Sequence, residues 1–446
     1  MFSALRRLYP LAGLPEQRQL WSWISFDVAN QSFTLIINTL LFSIFFSQEV
    51  VRDDRLDDRI WALTYGTSML LCALVSPIAG AMADERAWKK RCLIGTGLMC
   101  AVFTCALGWI QPGQIWLAAL LYIPANFAFS IGENFLASFL PGLARSDQIG
   151  RVSGFSWACA YGAALLLLVM TAGAMLATHR GAPDQWRPFF VFAGLWFLVF
   201  SIPTLIGLRE PEKPEPTHTG HSLLAIGFIR LAESIRRTAR YRDLALLLVA
   251  SLFYATGMSV VIFFASKLAA EYGFTQVNLV LFIAVITVSG IVGTILPTLY
   301  SDRLGHRRST LFFLSIWVLT ALGFAFYAHR HDLHQQHAAP GAAPYPTWPL
   351  WLIGNLMGFG LGSLGSANRA FVAFLAPAHR SAETFGVWGL VFKLAAIMTF
   401  PFAWIKDTSG TPAALLVLAG FLVVGFVLTL FVNEDRGRAA AVQEAG

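Results

Sequence analysis

A chain of 446 residues that is 56% hydrophobic and only 13% charged, where a soluble domain carries about 25% charged residues, is not a soluble globular protein and reads as a polytopic membrane protein. Its net charge of +7 is read as the Lys and Arg excess of cytoplasmic loops rather than as a nucleic-acid surface. All five cysteines lie in or beside apolar segments, which excludes a disulfide framework or a thiolate metal site.

The N-terminal stretch has no apolar run of signal-peptide length before Pro10 and Pro15, so it is not expected to be cleaved. Six apolar spans follow, Trp21–Phe46, Ile60–Met82, Cys92–Ile110, Ile115–Leu140, Val152–Ala177 and Phe189–Leu208. After a longer polar break come six more, Leu244–Ala269, Val277–Tyr300, Thr310–Tyr327, Leu350–Ala376, Phe385–Ile405 and Ala413–Val432. Most come close to the roughly 20 residues needed to cross a bilayer. With both termini inside, the inner segments hold 22 Lys and Arg and the outer loops 7, which sets the orientation as N-in and C-in. The fold class is therefore all-α, with twelve transmembrane helices. The break starts Pro-rich, REPEKPEP, and continues over Ser222–Arg240 with Leu and Ile alternating with Arg, the pattern of a helix lying on the cytoplasmic membrane surface. The expected domains are an N-terminal six-helix bundle (1–208), a linker (209–242) and a C-terminal six-helix bundle (243–446).

Span 1 carries a polar stripe. Asp27, Gln31, Thr34 and Asn38 recur at helical spacing, with Asn30 beside them. A charge at this depth costs about 2.5–3.5 kcal/mol on insertion scales and normally faces a cavity or a partner. Three other ionisable groups lie well inside spans: Glu133 in span 4, Arg369 in span 10 and Lys393 in span 11. The loop His329–His337 has imidazoles at spacings of 2, 3 and 3, but its AAPGAAPYP sequel favours a mobile external loop over a zinc site. Neither a metal nor a cofactor is expected.

Two internal echoes point to duplication. Asp84-Glu-Arg86 and the Lys-Arg run after span 2 match Asp302-Arg303-Leu-Gly305-His-Arg307-Arg308 after span 8, and Glu133 through Pro141 matches Arg369 through Pro377. On these residues the chain resembles the major facilitator superfamily, whose signature loop is similar to the run at 302–308. Three blocks bring it closer to the unknown major facilitator branch that includes the autophagy-related amino-acid effluxers of the fungal vacuole. They are Asp27-Val-Ala-Asn30-Gln-Ser-Phe33, Ile149 through Tyr161, and Glu383-Thr-Phe-Gly386 through Lys393-Leu-Ala395. Where that branch shows Trp after the Asp, Val28 stands here.

The resemblance implies alternating access by two pseudo-symmetric bundles around a central site lined by helices 1, 4, 7 and 10, and a bundle-contact role for Asp84, Arg86, Asp302, Arg303 and Arg307. Two acids in one bundle then face two bases in the other. Asp27, Glu133, Arg369 and Lys393 are read as a switchable cytoplasmic gate whose acids offer a route to proton coupling. The static alternative pairs Asp27 with Asn126 or Asn30. Gln31, Thr34, Asn38, Asn126, Ser130, Asn355 and Tyr161, with Asn30, are the candidate substrate contacts. Close helix packing through the same polar groups, and through Gly358 and Gly362, is the competing explanation.

The function expected is secondary transport of a small polar or zwitterionic metabolite, in the manner of an amino-acid effluxer. The alternatives are export of drugs or lipid-like amphiphiles, and a non-transporting scaffold or sensor. No Walker loop or catalytic constellation marks an enzyme. The expected setting is the bacterial inner membrane, as a monomer, with a small-molecule substrate, protons and the lipid bilayer as partners and no nucleic acid.

Overall fold

Apolar runs of this length can satisfy their backbone groups in hydrocarbon only by coiling, and in the computed structural model every predicted span is helical. The structure describes residues 16–53, 56–86, 88–143, 149–210, 232–337, 343–376 and 381–443, with no strand among them. The spans become α1 (Gln17–Val51), α2 (Asp57–Arg86), α3 (Lys89–Ala106), α4 (Ile115–Leu143), α5 (Ile149–Thr178) and α6 (Arg187–Gly207). The second half gives α7 (Arg242–Glu271), α8 (Gln276–Leu304), α9 (His306–His337), α10 (Trp348–Leu375), α11 (Ser381–Ile397, resuming after Met398 as Thr399–Ser409) and α12 (Thr411–Leu430). A short α13 (Glu434–Gln443) closes the described residues. Among the described residues eleven helices are long and apolar enough to cross a membrane, and α8 contributes a shorter apolar stretch, Val277–Gly293.

The expected mobile loop at His329–His337 is corrected: α9 continues through it to a total of 32 residues, about 48 Å at 1.5 Å per residue. Ring packing holds the extension. Tyr272 meets His331 at 4.8 Å and Tyr327 at 5.5 Å between centroids, and Tyr345 packs on His331 and His334. The surface helix expected at 222–240 lies mostly outside the described residues. Its described end, residues 232–238, is helical, with Arg237 paired to Glu233 one turn away at 3.0 Å.

Two compact units form, residues 1–50 with 71–229, and residues 51–70 with 230–446. The outer half of α2 thus packs with the second unit. Within the first unit α1 lies against α5 and α6, and α3 against α4 and α6. Within the second, α8 and α10 form the most extensive pairing. Gly358 makes it possible, since a Cβ there would collide with the Ile286 carbonyl. This glycine serves helix approach.

The same device closes both units on the inner side. In the first, the backbone N–H of Lys90, at the start of α3, donates to the Glu210 carboxylate at 2.8 Å. In the second, the Arg307 N–H at the start of α9 donates to Glu434 of α13. A carboxylate at a helix N-terminus satisfies orphan donors and meets the positive end of the dipole. Gly305, at φ 85°, provides the left-handed turn that brings Glu434 in. Arg436 then clamps α13 onto the first turn of α7, with its Nε and Nη2 each 2.7 Å from an oxygen of Asp243.

Candidate functional site

The first unit builds its polar centre from α1, α4 and α5. Helix α1 is regular to Ser32 and turns π-helical over Phe33–Leu40 and Phe46–Val51. The Leu41 N–H reaches five residues back to the Ile36 carbonyl at 3.0 Å, and the Thr39 hydroxyl spans the same step to Thr34 O at 2.8 Å. Such widened turns concentrate at functional sites. This one carries Thr34 and Asn38. Nothing in residue spacing announces a π segment, so the sequence reading treated α1 as a single regular stripe.

Asn38 is buried and bonded on both sides of its amide. Its Nδ2 donates to Asn126 Oδ1 of α4 at 3.1 Å, and Tyr122 OH donates to Asn38 Oδ1 at 2.7 Å. The arrangement is an interhelical clasp, one turn of α4 supplying both partners. The ring of Tyr122 stacks on Phe42 at 5.6 Å, so the clasp sits in an aromatic layer. Thr34 donates back to the Asn30 carbonyl at 3.2 Å, while Gln31 and Tyr161 are half-buried and Ser130 is buried. Asn30 is different. It is 1% exposed, and neither of its side-chain amide atoms has a hydrogen-bond partner. Leaving such groups unmade costs about 1–3 kcal/mol apiece.

Asp27 is half-buried and accepts from the Ser156 hydroxyl of α5. Of the static partners expected for it, Asn30 is excluded because its amide is unpartnered. Ser156 lies inside the Ile149–Tyr161 block, so the pairing links two of the three stretches that carry the family resemblance. Glu133 is exposed.

In the second unit, Arg369 is exposed and Lys393 half-buried. Asn355 accepts from Ser289 of α8. A second clasp joins α7 and α10, where Tyr254 OH and Ser251 Oγ converge on Asn368 Oδ1 at 2.6 and 3.1 Å. Tyr254, fully buried among the core aromatics, is thus also a polar anchor. Of the loop-motif residues, the side chains of Asp84, Arg86, Asp302 and Arg303 lie outside the described residues, and Arg307 takes the Glu434 cap through its backbone.

The largest feature that sequence reasoning missed is a buried ion cluster in the second unit, on the outer side by the Lys and Arg orientation. The start of α2 supplies Asp57, Asp58 and Arg59, the end of α7 supplies Lys267 and Glu271, and α11 supplies Lys406 and Asp407. Lys267 Nζ contacts Asp58 and lies 3.1 Å from Asp57. Lys406 Nζ bridges Asp58 at 2.7 Å and Glu271 at 2.9 Å. Glu271 also accepts from Thr411 at 2.6 Å, and Arg59 Nε lies 3.1 Å from Asp407. Beside Glu271, burial and that carboxylate push the Tyr272 hydroxyl above the usual tyrosine range, keeping it neutral. Each charge was visible at a span edge, where Asp and Lys read as ordinary loop residues. Only packing shows that Asp58 is 1% exposed.

The comparisons agree with this architecture. A sequence profile described as "Vacuole effluxer Atg22 like" matches residues 57–442. The chain is 23% identical over 437 residues, 95% of its length and 96% of the relative's, to an uncharacterized MFS-type transporter, YxiO of Bacillus subtilis. It is 24% identical over 412 residues, 85% of its length and 80% of the relative's, to autophagy-related protein 22 of Kluyveromyces lactis. Among solved structures, the POT family transporter PepTSo superposes with a TM-score of 0.68 at 11% identity, covering 96% of this chain and 99% of that one. The nucleoside transporter NupG gives 0.64 at 12%, covering 93% and 97%. With its described helices matching the fold of these transporters and a profile match over most of its length, this multi-pass membrane protein belongs to the Atg22-like vacuole effluxer family of MFS-type transporters.

Proposed function

We propose that the protein is a secondary transporter of a small polar or zwitterionic metabolite, amino-acid-like, working by alternating access in the efflux direction in a bacterial inner membrane. One observation carries the polar reading: Asn30, buried beside the α1 stripe with both amide atoms unpartnered, next to the π-helical segment. A clasp residue such as Asn38 has its bonds made inside the protein. Asn30 has a donor and an acceptor to offer, which suits a ligand with both and gives nothing to a purely apolar amphiphile. Asp27, Glu133, Arg369 and Lys393 remain the groups proposed to gate the inner side, with Gln31, Thr34, Ser130, Asn355 and Tyr161 as further lining. The naming of relatives as vacuole effluxers supports the direction.

The test is flux of radiolabelled amino acids in proteoliposomes, with and without an imposed pH gradient. Saturable flux that falls at least tenfold in Asn30→Ala supports the reading. Zero flux for all zwitterions, with uptake of a fluorescent amphiphile, removes it.

A further inference from the structure

Among the described residues four carboxylates and three cations meet in the outer cluster of the second unit. Asp57, Asp58, Glu271 and Asp407 oppose Arg59, Lys267 and Lys406, an excess of one negative charge in a site where Asp58 and Asp407 have side chains only 2% exposed. An uncompensated buried charge is costly, and carboxylates this close do not all ionise. One oxygen each from Asp57, Asp58 and Asp407 lie within 4.8 Å of one another.

The hydrogen bonds single out the odd member. Asp58 contacts two ammonium groups, Asp57 one, and Glu271 an ammonium and a hydroxyl. Asp407 Oδ2 is buried and makes no hydrogen bond, and the Arg59 Nε beside it is likewise unbonded. The charge of Arg59 is close, but its N–H is not aimed at the oxygen. We propose that Asp407 binds the proton that couples this transporter to the pH gradient, and that it binds it when the outer end of α2 is docked on α7 and α11.

Charge balance gives the direction. The α2 group, Asp57, Asp58 and Arg59, carries a net charge of −1. The group it docks on, Lys267, Glu271, Lys406 and Asp407, is neutral when Asp407 is ionised. Docking therefore leaves a −1 excess that one proton on Asp407 removes, and undocking returns that proton to the outer water. Among the described residues the other charged or titratable groups near the cluster are Arg52 and Asp53 in the turn before α2, whose charges cancel, Tyr272, held neutral by burial, and beyond it His331 and Asp332 of α9. Because α2 continues past Leu70 into residues assigned to the first unit, holding or freeing its outer end acts on a helix that serves both units. The inference rests on the transporter reading and places the coupling proton away from Asp27 and Glu133.

The experiment uses full-length protein in lipid nanodiscs, with spin labels on Leu56→Cys and Trp404→Cys in a background lacking the five native cysteines. Both positions are exposed and lie in the same unit. Binding of a proton on docking means that the docked state is favoured as pH falls, with up to about a tenfold change in the docked-to-undocked ratio per pH unit. The short interlabel distance should therefore gain population on acidification. Asp407→Asn, neutral and of the same size, should keep the short distance at every pH, while Asp407→Glu should retain the pH response. A response that persists in Asp407→Asn puts the proton elsewhere and overturns the proposal. So does a wild-type distance that ignores pH, including one that answers instead to sodium. No substrate is needed, so an intact pH response in a protein that moves no zwitterion counts against the substrate reading and not against Asp407.

Discussion

The two units solve the same packing problem with different margins. In the first, the α1–α4 clasp uses both sides of the Asn38 amide, with Asn126 and Tyr122 as partners. In the second, the α7–α10 clasp makes Asn368 an acceptor only, for Tyr254 and Ser251, and leaves its Nδ2 without a partner. The inner caps, Glu210 on α3 and Glu434 on α9, are close equivalents. The units diverge where polar groups have no structural duty or too much of it. The first has the π segment and the orphaned Asn30, and the second has the buried ion cluster. Duplicated architecture is thus held together by repeated polar joints, and function is to be sought where the repeat is broken.

The sharpest break of that comparison is at the cluster. Asp58→Ala takes the shared acceptor from two ammonium groups, leaving Lys267 to Asp57 and Lys406 to Glu271, and should cost about 2–3 kcal/mol, read as thermal unfolding in nanodiscs. A loss under about 1 kcal/mol would mean that the cluster is not the joint of the second unit. Next come the clasps. Asn126→Ala removes a partner from a fully bonded amide and should cost about 1–2 kcal/mol. Asn368→Leu should cost less than about 1 kcal/mol, because Ser251 and Tyr254 still bond each other at 2.7 Å and an unpaired donor is removed. Equal costs would erase the asymmetry between units. Glu210→Ala and Glu434→Ala should each cost about 1 kcal/mol, visible as faster amide exchange confined to the first turns of α3 and α9 respectively. Last, Asn30→Ala should not lower the unfolding temperature, since no hydrogen bond is lost and two unpaired groups leave the interior. If it destabilises as much as Asn126→Ala, Asn30 is a packing residue and the ligand assignment falls.

Composition and span length were enough to read the helices, and the Lys and Arg bias an orientation for them, because hydrocarbon leaves an apolar run of about 20 residues one conformation and each span reports it locally; the superfamily came from the resemblance carried by the run at 302–308 and the three blocks. The polar stripe on span 1 was legible for the same reason, as a period in the residues themselves. Which members of that stripe are already paired was not. Asn38 and Asn30 look alike in sequence, and only the approach of α4, bringing Tyr122 and Asn126, separates a satisfied amide from an orphaned one. The histidine-rich tail of α9 read as a loop because its ordering comes from Tyr272 and Tyr345, rings on other elements. Asp57, Asp58, Lys267, Lys406 and Asp407 read as span-edge charges because burial is a property of neighbours distant in the chain, and an ion pair between residues 58 and 406 has no period to reveal it. Local physics in the sequence determined the helices, while tertiary contact alone decided which of their polar groups are joints and which are left for chemistry.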